Sequence, residues 1–350
     1  MKKRAVLGLS KQDCLSNYTR IRQQVQSTTK LMAVVKSNAY GCGVDLMVPF
    51  LKELGINYFA VATTEESREV AQLDAETPIL LLSEPLIDNI ELLPDNIELT
   101  VYTEGLIEYL INHTPNRHWK LHLKVNTGLN RLGAGNDLFW ALWSKILEAD
   151  NLECVGVMSH LIESDEKGST RTSEQVGQFK QIVDRCKLES PAILAHISNS
   201  AALKLGPDLE FDMVRLGLAL YDKALSLETI VLHTQSLAAG DTVSYQQLFK
   251  ATEPCQIAIL SMGYADGIPT ITQNATVMIH QKQYPIVGRI CMDMVCVNLG
   301  KDSCQAGDIA TLFNPQKPHA PLFKDWLTAT KQNPREFTCG LGQRVGREWR

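Results

Sequence analysis

The sequence predicts an α/β protein: an amino-terminal (β/α)8 barrel of the TIM type over residues 1–225, followed by a mostly-β domain over residues 226–350. Three observations predict it. The chain has 350 residues, which at ~150 per domain leaves room for about two. From residue 11 to about residue 220, short β-branched or leucine-rich runs alternate with stretches of helical spacing, as in consecutive βα units around a parallel sheet. After Tyr221 the helical spacing gives way to Thr, Val, Ile and Gln alternation between glycine turns, the texture of short strands without intervening helices.

The elements follow in order. Strand runs stand at residues 31–35, 59–61, 79–82, 99–101, 120–125, 154–158, 192–196 and 213–215, with helical spacing at 44–54, 65–73, 104–112, 138–149 and 174–187. Eight strands close most simply into a barrel, an open doubly wound sheet being the alternative. In the second domain strands are expected at 242–248, 256–260, 275–279 and 294–299, and the boundary between the domains falls between Asp222 and Thr234.

Composition narrows the function classes. Hydrophobic residues at 45% and charged residues at 21% are ordinary globular usage, so a large core can be buried. The formal charge is -5 with neither sign gathered into a block, which argues against a nucleic-acid partner. The nine cysteines are odd in number and scattered without a C-x-x-C pair, as expected of reduced thiols in the cytoplasm. The basic Met-Lys-Lys-Arg start precedes an apolar stretch (residues 5–9) too short for a signal-peptide core. No run approaches the ~18 apolar residues that a membrane span needs. A soluble, cytoplasmic protein is expected.

In a barrel, chemistry sits just after the strands, where the βα loops converge. Those positions hold Lys36, then Asn126 and Arg131, Ser159 and His160, Ser198-Asn199-Ser200, and Arg215 with Gly217. One lysine, two arginines and a histidine on one rim suit an anionic ligand. Lys36 ends an apolar strand, where burial and neighbouring cations favour a neutral amine able to form a Schiff base; a solvated strand-end lysine is the alternative reading. Ser198-Asn199-Ser200 offers hydroxyls and amides for a phosphate, or an ordinary helix cap. Neither a Walker motif nor G-x-G-x-x-G occurs. His118 and His122 lack acidic or thiol neighbours, so no metal site is expected, and His196 reads as a core histidine.

Six segments in order, AVVKSNAYG at 33–41, KVNTGLNRLG at 124–133, NSAA at 199–202, MVRLGLALY at 213–221, GYADG at 263–267 and VGRICMD at 287–293, make the chain resemble the alanine racemase family over nearly its whole length. The resemblance implies a homodimer that binds pyridoxal 5'-phosphate and a small amino-acid substrate, with each active site shared between subunits. It implies that Lys36 holds the cofactor and serves as base on one face of the substrate, and that Tyr264, supplied by the partner subunit, works on the opposite face. Tyr40, Asn199, Ser200, Gly217 and Leu218 match phosphate-binding positions. His160 would pack on the pyridine ring, Arg215 would bond its nitrogen, and Arg131 and the partner subunit's Met292 would contact substrate. Lys124 matches a lysine that is carbamylated in many members and then holds the arginine corresponding to Arg131.

Racemisation removes a Cα proton and returns one from the other side, so two bases are the minimum. The cofactor would supply the electron sink, and Arg215, which carries only donors, would leave the ring nitrogen unprotonated. The chain departs from the family's usual text at Arg335 for tyrosine, Asn126 for Asp, Asn130 for Gly, Leu216 for Pro, Met294 for Gln, and Gln246 and Gln247 near a usually glycine-rich turn. These departures leave two alternatives to alanine racemisation: a racemase of altered or broad substrate range, and a catalytically weak pyridoxal-phosphate-binding protein.

Overall fold

The computed structural model describes residues 3–270 and 275–350; Met1 and Lys2 of the basic start lie outside the described residues. Its first strand, β1 (Ala5–Leu9), is the short apolar stretch that the sequence reading did not assign, and it is followed by α1 (Lys11–Gln24). Eight further strands then come in turn: β2 (Lys30–Val34), β3 (Phe59–Val61), β4 (Ile79–Leu81), β5 (Ile97–Val101), β6 (Trp119–Lys124), β7 (Leu152–Met158), β8 (Leu194–His196) and β9 (Met213–Leu216). Each lies within two residues of its expected position. They pair in parallel from β2 through β8, with β9 on the other side of β2. The Arg215 amide donates to the Ser198 carbonyl at 3.1 Å and the Asp212 amide to the Ala195 carbonyl at 3.0 Å, closing the ring between β8 and β9. The barrel is therefore the architecture, and the open sheet is not.

The strand composition explains the closure. β3, β4 and β5 are buried at every residue, as a parallel strand must be when one face lines the barrel and the other meets helices. The helices α3 (Val44–Glu53), α4 (Thr64–Leu73), α5 (Glu104–His113), α6 (Asn136–Glu148) and α7 (Thr170–Glu189) fill the connections. Thr63, Thr103 and Ser169 cap α4, α5 and α7 by accepting from the backbone amides of Glu66, Leu106 and Thr172, which satisfies amides that have no partner inside the helix. Between β4 and β5, and between β8 and β9, the links are only 3-10 turns, Ile87–Leu92 in the first and Ala202–Leu205 with Pro207–Leu209 in the second.

The chain forms two compact units. One comprises Tyr18–Ala39 and Met47–Leu220; the other comprises the segment ending at Asn17, Tyr40–Leu46 and Tyr221–Arg350. The single division at 225/226 read from the sequence does not assign the first strand to the second unit. In the structure β1 pairs antiparallel with β10 (Leu225–Leu237), from Ala5 opposite Thr229 to Leu9 opposite Leu225, so its backbone groups are satisfied there.

The second unit is built on β10, whose 13 residues also pair with β13 (Cys255–Leu260) and β17 (Ile309–Phe313). β14 (Thr276–Ile279), β15 (Lys282–Val287), β16 (Val295–Gly300) and β18 (Gly346–Trp349) complete the sheet. The expected strand at 242–248 is instead β11 (Thr242–Val243), a turn, and β12 (Phe249–Lys250). Ser244, Gln246 and Gln247 have φ of 66°, 60° and 51°, a left-handed conformation that no strand continues through. Two helices not read from the sequence, α8 (Phe323–Thr330) and α9 (Pro334–Gly340), pack Phe323, Trp326 and Phe337 as an aromatic cluster that includes Phe313. No described helix is long and apolar enough to cross a membrane.

Candidate active site

Lys36 follows β2 at the carboxyl end of the barrel and is half-buried. The next residues depart from ordinary backbone: Ser37, Asn38, Ala39 and Tyr40 have φ of 52°, 54°, 52° and 56°, so α2 (Lys36–Tyr40) is a turn of left-handed helix. Left-handed helix costs L-residues roughly 1–2 kcal/mol each, so surrounding bonds must hold it. The Ala39 amide donates to the Val35 carbonyl at 2.8 Å, and the Glu66 carboxylate accepts the Ser37 amide at 2.7 Å and the Ala62 amide at 2.8 Å. Glu66, on α4, was not singled out in the sequence, although it is the acidic residue three positions after the Thr63 cap.

Three further strand ends bring basic side chains to the same rim: β6 with Lys124 and Arg131, β7 with His160 and β9 with Arg215. Lys124 closes β6 and is buried; burial first, and then Arg215, Arg131 and Lys36, push its amine down to about 8. Burial, followed by Arg215, Arg131, Lys124 and Lys36, pushes His160 down to about 3, so its imidazole is neutral. The sequence-read group Lys36, Arg131, His160 and Arg215 is thus assembled, with Lys124 among it.

Arg131 is carried on a loop that folds back onto its own strand. The Asn126 side chain accepts the amides of Gly128 and Asn130 at 3.1 and 3.0 Å and donates to the Asn130 side chain at 2.8 Å. Asn130 has φ of 55°, which explains why glycine is usual there and why Asn, which tolerates this region, replaces it. Gly133 has φ of 121°, and a Cβ there would lie 2.8 Å from the Asn126 amide nitrogen.

Arg215 is held from every side. Its NH1 donates to His196 Nδ1 at 2.8 Å and the His196 carbonyl at 3.0 Å; its NH2 donates to the Ser159 and Ile197 carbonyls at 2.9 and 2.8 Å and to His160 Nδ1 at 3.1 Å. Beyond it, three of the residues read from the sequence as phosphate ligands come together: the Gly217 amide donates to Ser200 Oγ at 3.2 Å, and Leu218 opens the following turn. Asn199 accepts the Ala201 and Ala202 amides at 2.9 and 3.1 Å, so its side chain shapes the Ser200 turn.

The remaining sequence-read residues lie in the other unit. Tyr40 packs against Tyr221 with ring centroids 6.5 Å apart. Tyr264 and Met292, 45% and 53% exposed, are displayed rather than packed away. Their segments are joined by bonds from the Tyr264 amide to the Cys291 carbonyl and from the Ala265 amide to the Met292 carbonyl, both 3.0 Å. Asp266 accepts the Gly263 amide and the Arg344 guanidinium, each at 2.9 Å, while Arg344 also donates to Asp293 at 2.7 Å. Arg344 was missed because nothing in the sequence shows that a residue near the carboxyl terminus returns to GYADG.

Residues 10–224 match the family model of the alanine racemase N-terminal domain, and residues 224–349 that of the C-terminal domain. The chain is similar to alanine racemase 2 of Caldanaerobacter subterraneus subsp. tengcongensis, at 30% identity over 95% of this chain and 91% of the relative. It is similar to the alanine racemase of Methanococcus maripaludis at 30% identity, covering 95% of each. Among solved structures, an alanine racemase of Clostridium difficile superposes with a TM-score of 0.90 at 26% identity, covering 100% of this chain and 96% of that one. An alanine racemase of Bartonella henselae with covalently bound pyridoxal phosphate gives 0.87 at 28% identity and covers 100% of both. With both domain models matched in order across the two units that carry its strand-end cations and its displayed tyrosine, the chain belongs to the alanine racemase family.

Proposed function

We propose that this amino-acid racemase interconverts L-alanine and D-alanine by a two-base mechanism, with pyridoxal 5'-phosphate held in the barrel and the second base supplied by the partner subunit. The observation that carries the reading is the rim itself: Lys36, Lys124, Arg131, Arg215 and His160 share it, and burial, with these neighbouring cations adding to it, pushes Lys124 and His160 down, a setting that an anionic ligand relieves. The donor set fits the cofactor: an amine for its aldehyde, the Ser200 hydroxyl beside the Gly217 amide for its phosphate, and a guanidinium for its ring nitrogen. When bound, pyridoxal phosphate supplies the electron sink that makes a Cα proton removable.

This chain's own residues do the rest. Lys36 would hold the cofactor through its amine, and the free amine would accept or return the Cα proton at Nζ on one face. The partner subunit's Tyr264 does the same at Oη on the other face. Arg215 presents only N–H groups, so the ring nitrogen it meets stays an acceptor and electron withdrawal is moderated. Tyr40, Ser200, Gly217 and Leu218 bind the phosphate, with Asn199 shaping their turn. Neutral His160 packs on the ring, Arg131 orients the substrate side, and the partner subunit's Met292 closes it. Residues 1–225 thus hold the cofactor and residues 226–350 serve the neighbouring copy of a cytoplasmic homodimer.

The test is a substrate panel on the purified, cofactor-loaded enzyme, comparing alanine with serine, lysine, arginine and glutamate enantiomers, with Arg335→Tyr beside it. Alanine is expected to turn over fastest, and Arg335→Tyr to narrow the range further. Faster turnover of lysine, arginine or glutamate would overturn the alanine assignment.

A further inference from the structure

A chain of buried polar groups runs from Arg215 through the barrel: Arg215 NH1 to His196 Nδ1 at 2.8 Å, His196 Nε2 to His122 Nδ1 at 2.8 Å, and His122 Nε2 to Glu98 Oε2 at 2.8 Å, with the Tyr58 hydroxyl also donating to Glu98 Oε2. Tyr58, Glu98, His122, His196 and Arg215 are all at most 6% exposed. A carboxylate on a barrel strand needs a reason to be there, since burying an ionised group is costly unless it is paired.

The chemistry at the two ends leaves one arrangement of protons. A guanidinium has donors only, so His196 Nδ1 must accept and its proton sits on Nε2. His122 Nδ1 must then accept that proton, which leaves His122 protonated on Nε2 and donating to Glu98. We propose that Glu98 is a positioning residue for Arg215: acting through His122 and His196, it supports the proton arrangement in which His196 Nδ1 accepts from Arg215 and so holds the guanidinium in its place at the rim. The electrostatics agree. Burial and then Arg215 hold His196 well below its ordinary value, so it is neutral. Burial opposes the Glu98 charge, but the hydrogen bonds that His122 and the Tyr58 hydroxyl donate to it keep the carboxyl below its ordinary value.

Without an acceptor at position 98, His122 is free to carry its proton on Nδ1. Arg215 alone then favours the accepting His196, so the two tautomers compete, and in the reversed one donor faces donor at 2.8 Å and the hold on the guanidinium loosens. A glutamine still accepts through its carboxamide oxygen and preserves the direction.

The inference rests on the reading that Arg215 faces the ring nitrogen, and two measurements separate the two. In cofactor-free protein labelled with 15N at its eight histidines, imidazole correlations should show His122 and His196 both neutral and protonated on Nε2. Glu98→Gln should retain that pattern, and Glu98→Ala should mix the tautomers. In loaded enzyme, Glu98→Ala should shift the visible absorbance of the bound cofactor and lower kcat at least tenfold with little change in KM, while Glu98→Gln stays within a few-fold of the parent. An Nδ1-protonated or doubly protonated His122 or His196 in the parent overturns the relay even if Glu98→Ala fails to fold, as does a Glu98→Ala protein with parental tautomers and absorbance. The stated tautomers in a parent that racemises no amino acid uphold the relay and overturn the functional reading instead.

Discussion

The Tyr264 amide donates to the Cys291 carbonyl at 3.0 Å, so the tyrosine assigned as second base is held by the segment that carries Met292. The two segments approach this closely because Gly263 lacks a side chain: a Cβ would stand 2.3 Å from the Cys291 carbonyl oxygen. Gly263→Ala is therefore expected to force the two segments apart and displace Tyr264. Catalytic misplacement of about 1 Å costs on the order of a hundredfold, so kcat should fall by about that factor while circular dichroism still reports a folded chain. Unchanged kcat would show that this contact does not set the tyrosine.

Lys124 gives a pH dependence with a definite sign. Its amine titrates at about 8 in the folded protein against an ordinary 10.5. Between these values the unfolded chain binds the extra proton, so this group makes stability rise with pH across that window; below about 8 the folded protein bears the full cost of the buried charge. That cost is on the order of 3 kcal/mol, and carbamylation by carbon dioxide would abolish it by replacing the amine with an anion. In carbon dioxide-free buffer, denaturant unfolding should show the parent gaining on Lys124→Met between pH 8 and 10; added bicarbonate should flatten the difference. Parallel pH profiles without bicarbonate would count against the lowered amine.

The turn between β11 and β12 carries avoidable strain. Gln247 adopts φ of 51° without a glycine's freedom, and the family's usual text is glycine-rich here. Gln247→Gly is expected to stabilise the protein by roughly 0.5–1 kcal/mol, the relief of left-handed backbone exceeding the added chain entropy of the unfolded state. Equilibrium unfolding with racemase activity measured alongside checks this; a loss of stability would mean that the glutamine side chain contributes more than the strain costs.

The barrel was legible because parallel strands buried on both faces must be written as apolar runs, and Lys36, His160, Ser200 and Arg215 were legible because they stand directly after those runs. The same logic failed where sequence distance hides contact. β1 looked like a stray apolar stretch because its partners, β10 and β18, lie more than 200 residues away. α9 did carry a local signal, Asn333-Pro334 with Glu336 three positions on, and Asn333 does accept the Glu336 amide at 2.9 Å; the β texture around it masked that cap. Glu98 was passed over because the expected strand began at residue 99, whereas β5 begins at Ile97 and takes the carboxylate into a wholly buried run, where it needs buried partners. The left-handed turn after Lys36 had only a weak signal, since Asn38 alone among its four positive-φ residues is of a type that tolerates that region.

The central claim, that each site takes Lys36 from one copy and Tyr264 from the other, is tested most directly by mixing two variants. Lys36→Ala and Tyr264→Phe homodimers should each lack racemase activity, because each site misses one base. Unfolded together and refolded at equal concentration with pyridoxal phosphate, they should recover about a quarter of parental activity, since random pairing makes about half the dimers mixed and one site of each mixed dimer is intact. No recovery, with mixed dimers shown by mass spectrometry, would place both bases on one chain and contradict the account.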